Sequence, residues 1–133
     1  VYEDHITTDT SYAMVAIANA HQLEEILPSK FFTKYRKEKE RIGITTRGII
    51  TNSIENNTFT NRVYKGFKKH IVPHMKFVPD NRFPFKGEVT LYRDNKVSII
   101  NLTHDQLTGV IIEDQTIYNM IRTLFELSWQ SLK

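Results

Sequence analysis

Cysteine is absent from the 133-residue sequence, which excludes disulfide scaffolds, thiolate zinc sites and cysteine nucleophiles. Glycine and proline are sparse, at 5 and 4 residues, so the chain is neither collagenous nor low-complexity. No apolar run approaches the ~20 residues that a membrane-spanning helix requires. A glycine-rich phosphate loop, a nucleophile elbow and a dinucleotide fingerprint are all missing, and no cofactor is signalled. The charge balance is a mild basic excess, +3 from 18 Lys and Arg against 15 Asp and Glu, which does not by itself predict a nucleic-acid surface.

What is present is enough apolar material for one compact domain over residues 1–133, at 40% hydrophobic and 11% aromatic. Tyr12–Ala18 is a short continuous apolar run, the pattern of a strand buried on both faces. From about His21 to Ile42 the apolar spacing turns helical, broken at Pro28, and Gly43 stands where a left-handed C-cap is needed. Ile44–Ile50 is a second strand, completing a parallel crossover unit. A short helix is expected over Asn61–His70, and a strand at Met75–Val78. Glu88–Tyr92 and Lys96–Ile100 flank Arg93-Asp94-Asn95 as a hairpin, with the Asp-Asn pair tolerating positive φ. Thr108–Ile112 leads to Asp114 as the N-cap of a final helix. That helix is expected to bury Ile117, Met120, Ile121, Leu124, Phe125, Leu127 and Trp129. The fold class is α/β, a mixed sheet flanked by helices.

The chemistry-bearing patterns are few. His74-Met75-Lys76 followed by Asp80 approximates the His-x-Lys-x-x-x-x-Asp motif of phospholipase D, where an imidazole attacks a phosphodiester. Asn81 stands at the final position, and the segment reads as a strand edge with solvated His and Lys. Lys34–Arg41 reads as a solvated helix face laced with ion pairs. Arg62, Tyr64, Lys65, Lys68 and Lys69 form a second basic cluster, read as plain surface. The five His are scattered, and Pro73 interrupts the one pair, His70 and His74, at helical spacing.

The order of segments is more specific than any one motif. A leading strand is followed by Tyr35–Ile50, Met75–Pro79, the hairpin Leu91–Ile100, Gly109–Asp114 and a closing Leu124–Trp129. Together they resemble, over nearly the whole chain, the phospholipase D-like domain of TrmB-type transcriptional regulators. The resemblance implies a phospholipase D-like mixed sheet and a regulatory domain excised from a longer protein, following an N-terminal winged helix-turn-helix that reads DNA. Nothing in this chain matches such a reader.

Laying the family's catalytic hairpin on this one, with Asp94 as the motif Asp, puts the motif His on Gly87 and the Lys on Val89. The trailing pattern falls on Asn101, Leu102, Thr103 and His104. Without imidazole or Lys, phosphodiester chemistry loses the groups it needs. The resemblance therefore implies a non-catalytic cytoplasmic domain with no cofactor or metal, serving effector sensing, dimerisation or both. Arg47, Asn101 and His104 are the candidate ligand-binding residues at the strand ends. Expected partners are a second copy of the chain, DNA through the N-terminal reader, and a small-molecule effector such as a sugar, with no membrane. The rival readings are a phosphodiesterase or nuclease half-site and a purely structural dimerisation module.

Overall fold

A computed structural model describes residues 1–19, 29–51, 65, 66, 68, 72–103 and 106–133. Its centre is one six-stranded mixed sheet in the order β3-β2-β1-β4-β5-β6. The strands are β1 (Ala13–Ala18), β2 (Thr45–Thr51), β3 (His74–Val78), β4 (Gly87–Tyr92), β5 (Lys96–Asn101) and β6 (Thr108–Glu113). β1, β2 and β3 are parallel, and β4 joins β1 in the antiparallel sense to begin a β4-β5-β6 meander. The described helices are α1 (Tyr2–His5), α2 (Ser29–Ile42) and α3 (Gln115–Ser131), with a 3-10 turn at Asp80–Arg82. No helix among the described residues is long and apolar enough to cross a membrane.

The alternation of strand side chains divides the core between two faces. On one face Val15, Ile49, Leu91 and Val97 pack against Tyr118 and Phe125 of α3. On the other, Met14, Ile42, Ile44 and Tyr92 form one cluster and Phe32 packs with Leu102 in a second. The central run of β1 serves both, since Met14 and Val15 are each buried. That is why the run is apolar at consecutive positions rather than alternate ones. α2 lies on the second face through Phe32, Tyr35, Lys39 and Ile42, all buried. It ends at Gly43, whose φ of 86° lets its N–H and that of Ile44 return to the Lys39 carbonyl.

The hairpin turn and α3 each differ from expectation. In the β4–β5 turn the residue with positive φ is Arg93, at 53°, rather than Asp94 or Asn95. Its guanidinium turns back and donates to the Asp4 and Thr7 carbonyls, and these bonds offset the cost of the left-handed backbone. The second difference concerns α3. Asp114 caps it as expected, accepting from the Ile117 N–H at 2.8 Å, but of its apolar side chains only Tyr118 and Phe125 are buried. Ile121 and Trp129 are partly buried against the sheet, whereas Ile117, Met120, Leu124 and Leu127 are exposed. A helix on one face of a sheet covers that sheet with about a third of its circumference, and α3 carries apolar side chains around considerably more.

Of the expected helix over Asn61–His70 only Lys65, Gly66 and Lys68 are described, and there the chain turns, Gly66 having a left-handed φ of 82° that no helix allows; the first turns of the His21–Ile42 helix and most of the second basic cluster lie outside the described residues. In the first basic cluster Arg41 pairs with Glu38 at 2.8 Å as expected. Lys39, however, is 2% exposed and donates to Thr46 Oγ1 at 3.0 Å.

Candidate functional site

A cavity of about 670 Å³ opens between the loop before β4 and the β4–β5 hairpin, at the end of the sheet where β1 and β2 finish. Gly87, Val89, Ile99 and Asn101 belong to its lining and lie on the α3 side of the sheet. Phe83, Pro84 and Phe85 form a rim, the two rings meeting edge to face at 5.6 Å. The loop closes through a bond from the Leu102 N–H to the Lys86 carbonyl at 2.8 Å. Polar groups at the cavity are few. Asn101 Oδ1 accepts from the Thr103 N–H at 2.9 Å, so the side-chain NH2 is what Asn101 can offer a ligand. Both Glu88 oxygens are committed, accepting from Tyr2 and Thr90 hydroxyls at 2.7 Å.

Gly87 is fixed by packing. A Cβ at this position would lie 2.7 Å from the Ile100 carbonyl oxygen, closer than two unbonded atoms approach. Position 87 thus has room for backbone only, and an imidazole cannot stand there without moving β4 from β5.

Of the three sequence candidates, the structure places Asn101 in the cavity wall and Arg47 elsewhere, while His104 lies outside the described residues. Arg47 is level with Val15, Leu91 and Val97 across the sheet. Asn101 is four residues further along β5 and three strands away, roughly 20 Å by strand spacing. Arg47 does not reach that cavity. It forms a two-pronged pair with Glu126 and lies 5.3 Å from the ring centres of both Phe125 and Trp129. Hydrogen bonding to Arg47 is the main reason the Glu126 carboxyl is held below its ordinary pKa.

The approximate motif on β3 also has a packing role. His74 is exposed, as expected of an edge strand, while Lys76 is partly buried: its ammonium donates to the Trp129 and Leu132 carbonyls at 2.9 and 3.0 Å and sits 4.5 Å from the centre of the Trp129 ring. His74 meets the same indole edge to face at 5.2 Å. The Trp129 carbonyl also accepts the Leu132 N–H at 3.2 Å, so the ammonium is its second donor, and a cation at the last carbonyls of a helix complements the negative end of the dipole. The His-x-Lys spacing brings both side chains to one face of an edge strand, and that face receives the end of α3.

A second group of titratable side chains gathers where α1 meets α2 and the β4–β5 hairpin. His5 is fully buried, with Nδ1 2.9 Å from the Tyr35 hydroxyl and Nε2 3.0 Å from Ser98 Oγ. Burial, reinforced by the positive charge of Lys39, pushes its pKa down to about 3. Tyr2 is raised well above its ordinary value by burial and by Glu88. Burial opposes the Asp4 carboxylate, but bonds from Tyr92 at 2.7 Å and Lys96 at 3.0 Å outweigh it and lower its pKa. These groups fasten the N-terminal segment to the β4–β5 hairpin.

The described lining of the cavity has no His, and no nucleophile paired with a base. Sequence reasoning found Asn101 but missed Phe83 and Phe85. The available signal was two aromatics around Pro84 in a segment bounded by Pro79-Asp80-Asn81 and Gly87, where an ordinary turn would be polar. The sequence matches no protein-family model and no curated protein.

Proposed function

We propose that this chain is a non-catalytic, phospholipase D-like regulatory domain of a TrmB-type transcriptional regulator. In this reading it takes a small-molecule effector, such as a sugar, in the cavity beside Gly87 and Asn101, and it pairs with a second copy in the cytoplasm. DNA is read by a winged helix-turn-helix that precedes the domain in such regulators. The observation that carries the reading is the coincidence of the cavity with the positions the family's chemistry would use. Gly87 and Val89, aligned with the motif His and Lys, both line it, and Gly87 is packed too closely to bear any side chain. A pocket that keeps its place and loses its reactive groups supports recognition without turnover. Phe83 and Phe85 supply faces on which a sugar ring or another flat apolar surface can stack, and Asn101, Thr103 and Lys86 supply polar contacts at the edge.

Thermal denaturation with a panel of sugars and other metabolites tests the reading. A ligand that binds only the folded state raises the melting temperature by mass action, by about 2.7 kcal/mol of added stability at a hundred times its Kd. The expected result is a shift in the native protein that Val89→Trp, which puts an indole into the cavity beside Gly87 and Asn101, abolishes. A phosphodiesterase activity that copurifies with the chain and disappears in Asn101→Ala would overturn it.

A further inference from the structure

The helix α3 has more apolar surface than its own sheet can cover, and the excess lies on one side. At about 100° per residue, Tyr118, Ile121, Phe125 and Trp129 form the third of the helix that meets the sheet. Asn119, Arg122, Thr123, Glu126 and Gln130 form a polar flank, which Glu126 directs towards Arg47. The remaining third holds Ile117, Met120, Leu124 and Leu127, exposed by 37%, 62%, 63% and 62%, with Ser128 and Ser131 joining them at the C-terminal end.

This flank faces away from the Arg47–Glu126 pair and overhangs the part of the sheet that α3 leaves open. There Ile99 and Val110, cross-strand partners on the α3 side of β5 and β6, are 40% and 47% exposed. Their neighbours along the same strands, Val97 and Ile112, are packed into the core beneath the helix. A wall of four helix residues and a floor of two strand residues thus make one continuous apolar step.

Resting on the dimerisation part of the reading above, we propose that this step is where a second copy of the chain docks, the α3 flank of each copy lying on the open sheet floor of the other about a two-fold axis. Three features favour a second copy over another partner. The surface contains both a ridge and the floor to receive one, so it is self-complementary, as a two-fold interface must be. It is uncharged: the charged side chains of α3, Arg122 and Glu126, are on the opposite flank. Two chains of net charge +3 can therefore meet there without placing like charges in contact. Its size also fits. By their fractional exposures the six residues expose about 600 Å² per chain, so complete coverage in both copies would reach ~1,200 Å², the lower bound of a specific, stable interface. A monomer's largest apolar patch rarely exceeds that per-chain figure. The effector cavity shares Ile99 with the floor, so a ligand there would lie at the edge of the interface.

Sedimentation equilibrium on the whole chain tests the proposal, with the Leu124→Glu and Met120→Glu variants and Gln130→Glu as a charge control on the polar flank. The native chain and Gln130→Glu are expected to be dimers at tens of micromolar. Each of the other two should dimerise at least ~30-fold more weakly, as loss of a central interface anchor does. Both side chains are mostly exposed in one chain, so circular dichroism should show native folding. A native chain that is monomeric, or a Leu124→Glu variant that dimerises as well as the native, overturns the interface. Equal weakening by Gln130→Glu overturns it too, by showing a general charge effect. A monomer that still gains thermal stability from an effector would fail this proposal while leaving effector sensing in place.

Discussion

Gly87 and the carbonyl of Ile100 are packed so closely that the hydrogen on the glycine α-carbon occupies the only space a side chain could use. The contact sets the first residue of β4 against the penultimate residue of β5 in the cavity wall. Substituting Gly87→Ala forces the strands apart and should destabilise the domain by about 1–3 kcal/mol, as overpacking does. Urea denaturation measures it directly. Gly87→His should cost at least as much and should create no phosphodiesterase activity, since Val89 supplies no charge to a developing oxyanion.

The β3 pair His74 and Lys76 gives a second test, because a catalytic role and a packing role predict opposite things. Lys76→Met keeps the aliphatic stem over Trp129 and removes the ammonium that satisfies the carbonyls of Trp129 and Leu132. It is expected to lower stability by about 1–2 kcal/mol through lost charge-assisted bonds at a helix end. Hydrogen exchange should show the last turn of α3 opening more readily. No phosphodiester turnover should be present for it to abolish.

His5 should make stability depend on pH. Folding drives its pKa down to about 3 from an unfolded value near ~6.5, so the unfolded chain accepts a proton that the folded chain refuses. The stability that neutral His5 permits is complete above the unfolded value and is lost as pH falls towards the folded one, with a slope of up to about 1.4 kcal/mol per pH unit. The Asp4 carboxylate, also lowered on folding, acts in the same direction at the acid end. Unfolding free energies measured from pH 7 to pH 4 should fall less steeply in His5→Gln than in the native chain. Parallel curves would show that His5 does not carry the dependence.

The parts of this fold that were legible in the sequence are those set by local chemistry. The continuous apolar run of β1, the Gly43 terminus, the hairpin and the Asp114 cap each follow from a few neighbouring residues. The burial of His5 and Lys39 was not legible, because it depends on partners such as Ser98, 93 residues away from His5, and charged or polar residues read alone as surface. The orientation of α3 was hidden for a different reason. With apolar residues around two thirds of the helix, periodicity cannot say which third meets the sheet. Strand order likewise separates Arg47 from Asn101: both are polar residues on strands, and only the register shows that they stand near opposite ends.

That separation makes Arg47 and Asn101 a matched pair for testing the site. Arg47 is anchored by Glu126 and two aromatic faces, but both partners of the ion pair are about a third exposed, so solvent screens much of the attraction. Arg47→Ala is expected to cost about 1–2 kcal/mol from the ion pair and the stacked guanidinium together, and a double-mutant cycle with Glu126→Ala should recover a coupling of under ~1 kcal/mol. Asn101→Ala loses one exposed side-chain bond to the Thr103 N–H and should cost about 0.5–1 kcal/mol. With an effector found by thermal denaturation, the order reverses. Arg47→Ala should keep the native ligand-induced shift on its lower baseline, because its side chain is roughly 20 Å from the cavity. Asn101→Ala should lose most of the shift, because the carboxamide is one of the few polar groups the wall presents. Loss of the shift in Arg47→Ala with retention in Asn101→Ala would move the ligand to the polar flank of α3, where Glu126, Arg122 and Gln130 line a shallower concavity of about 470 Å³.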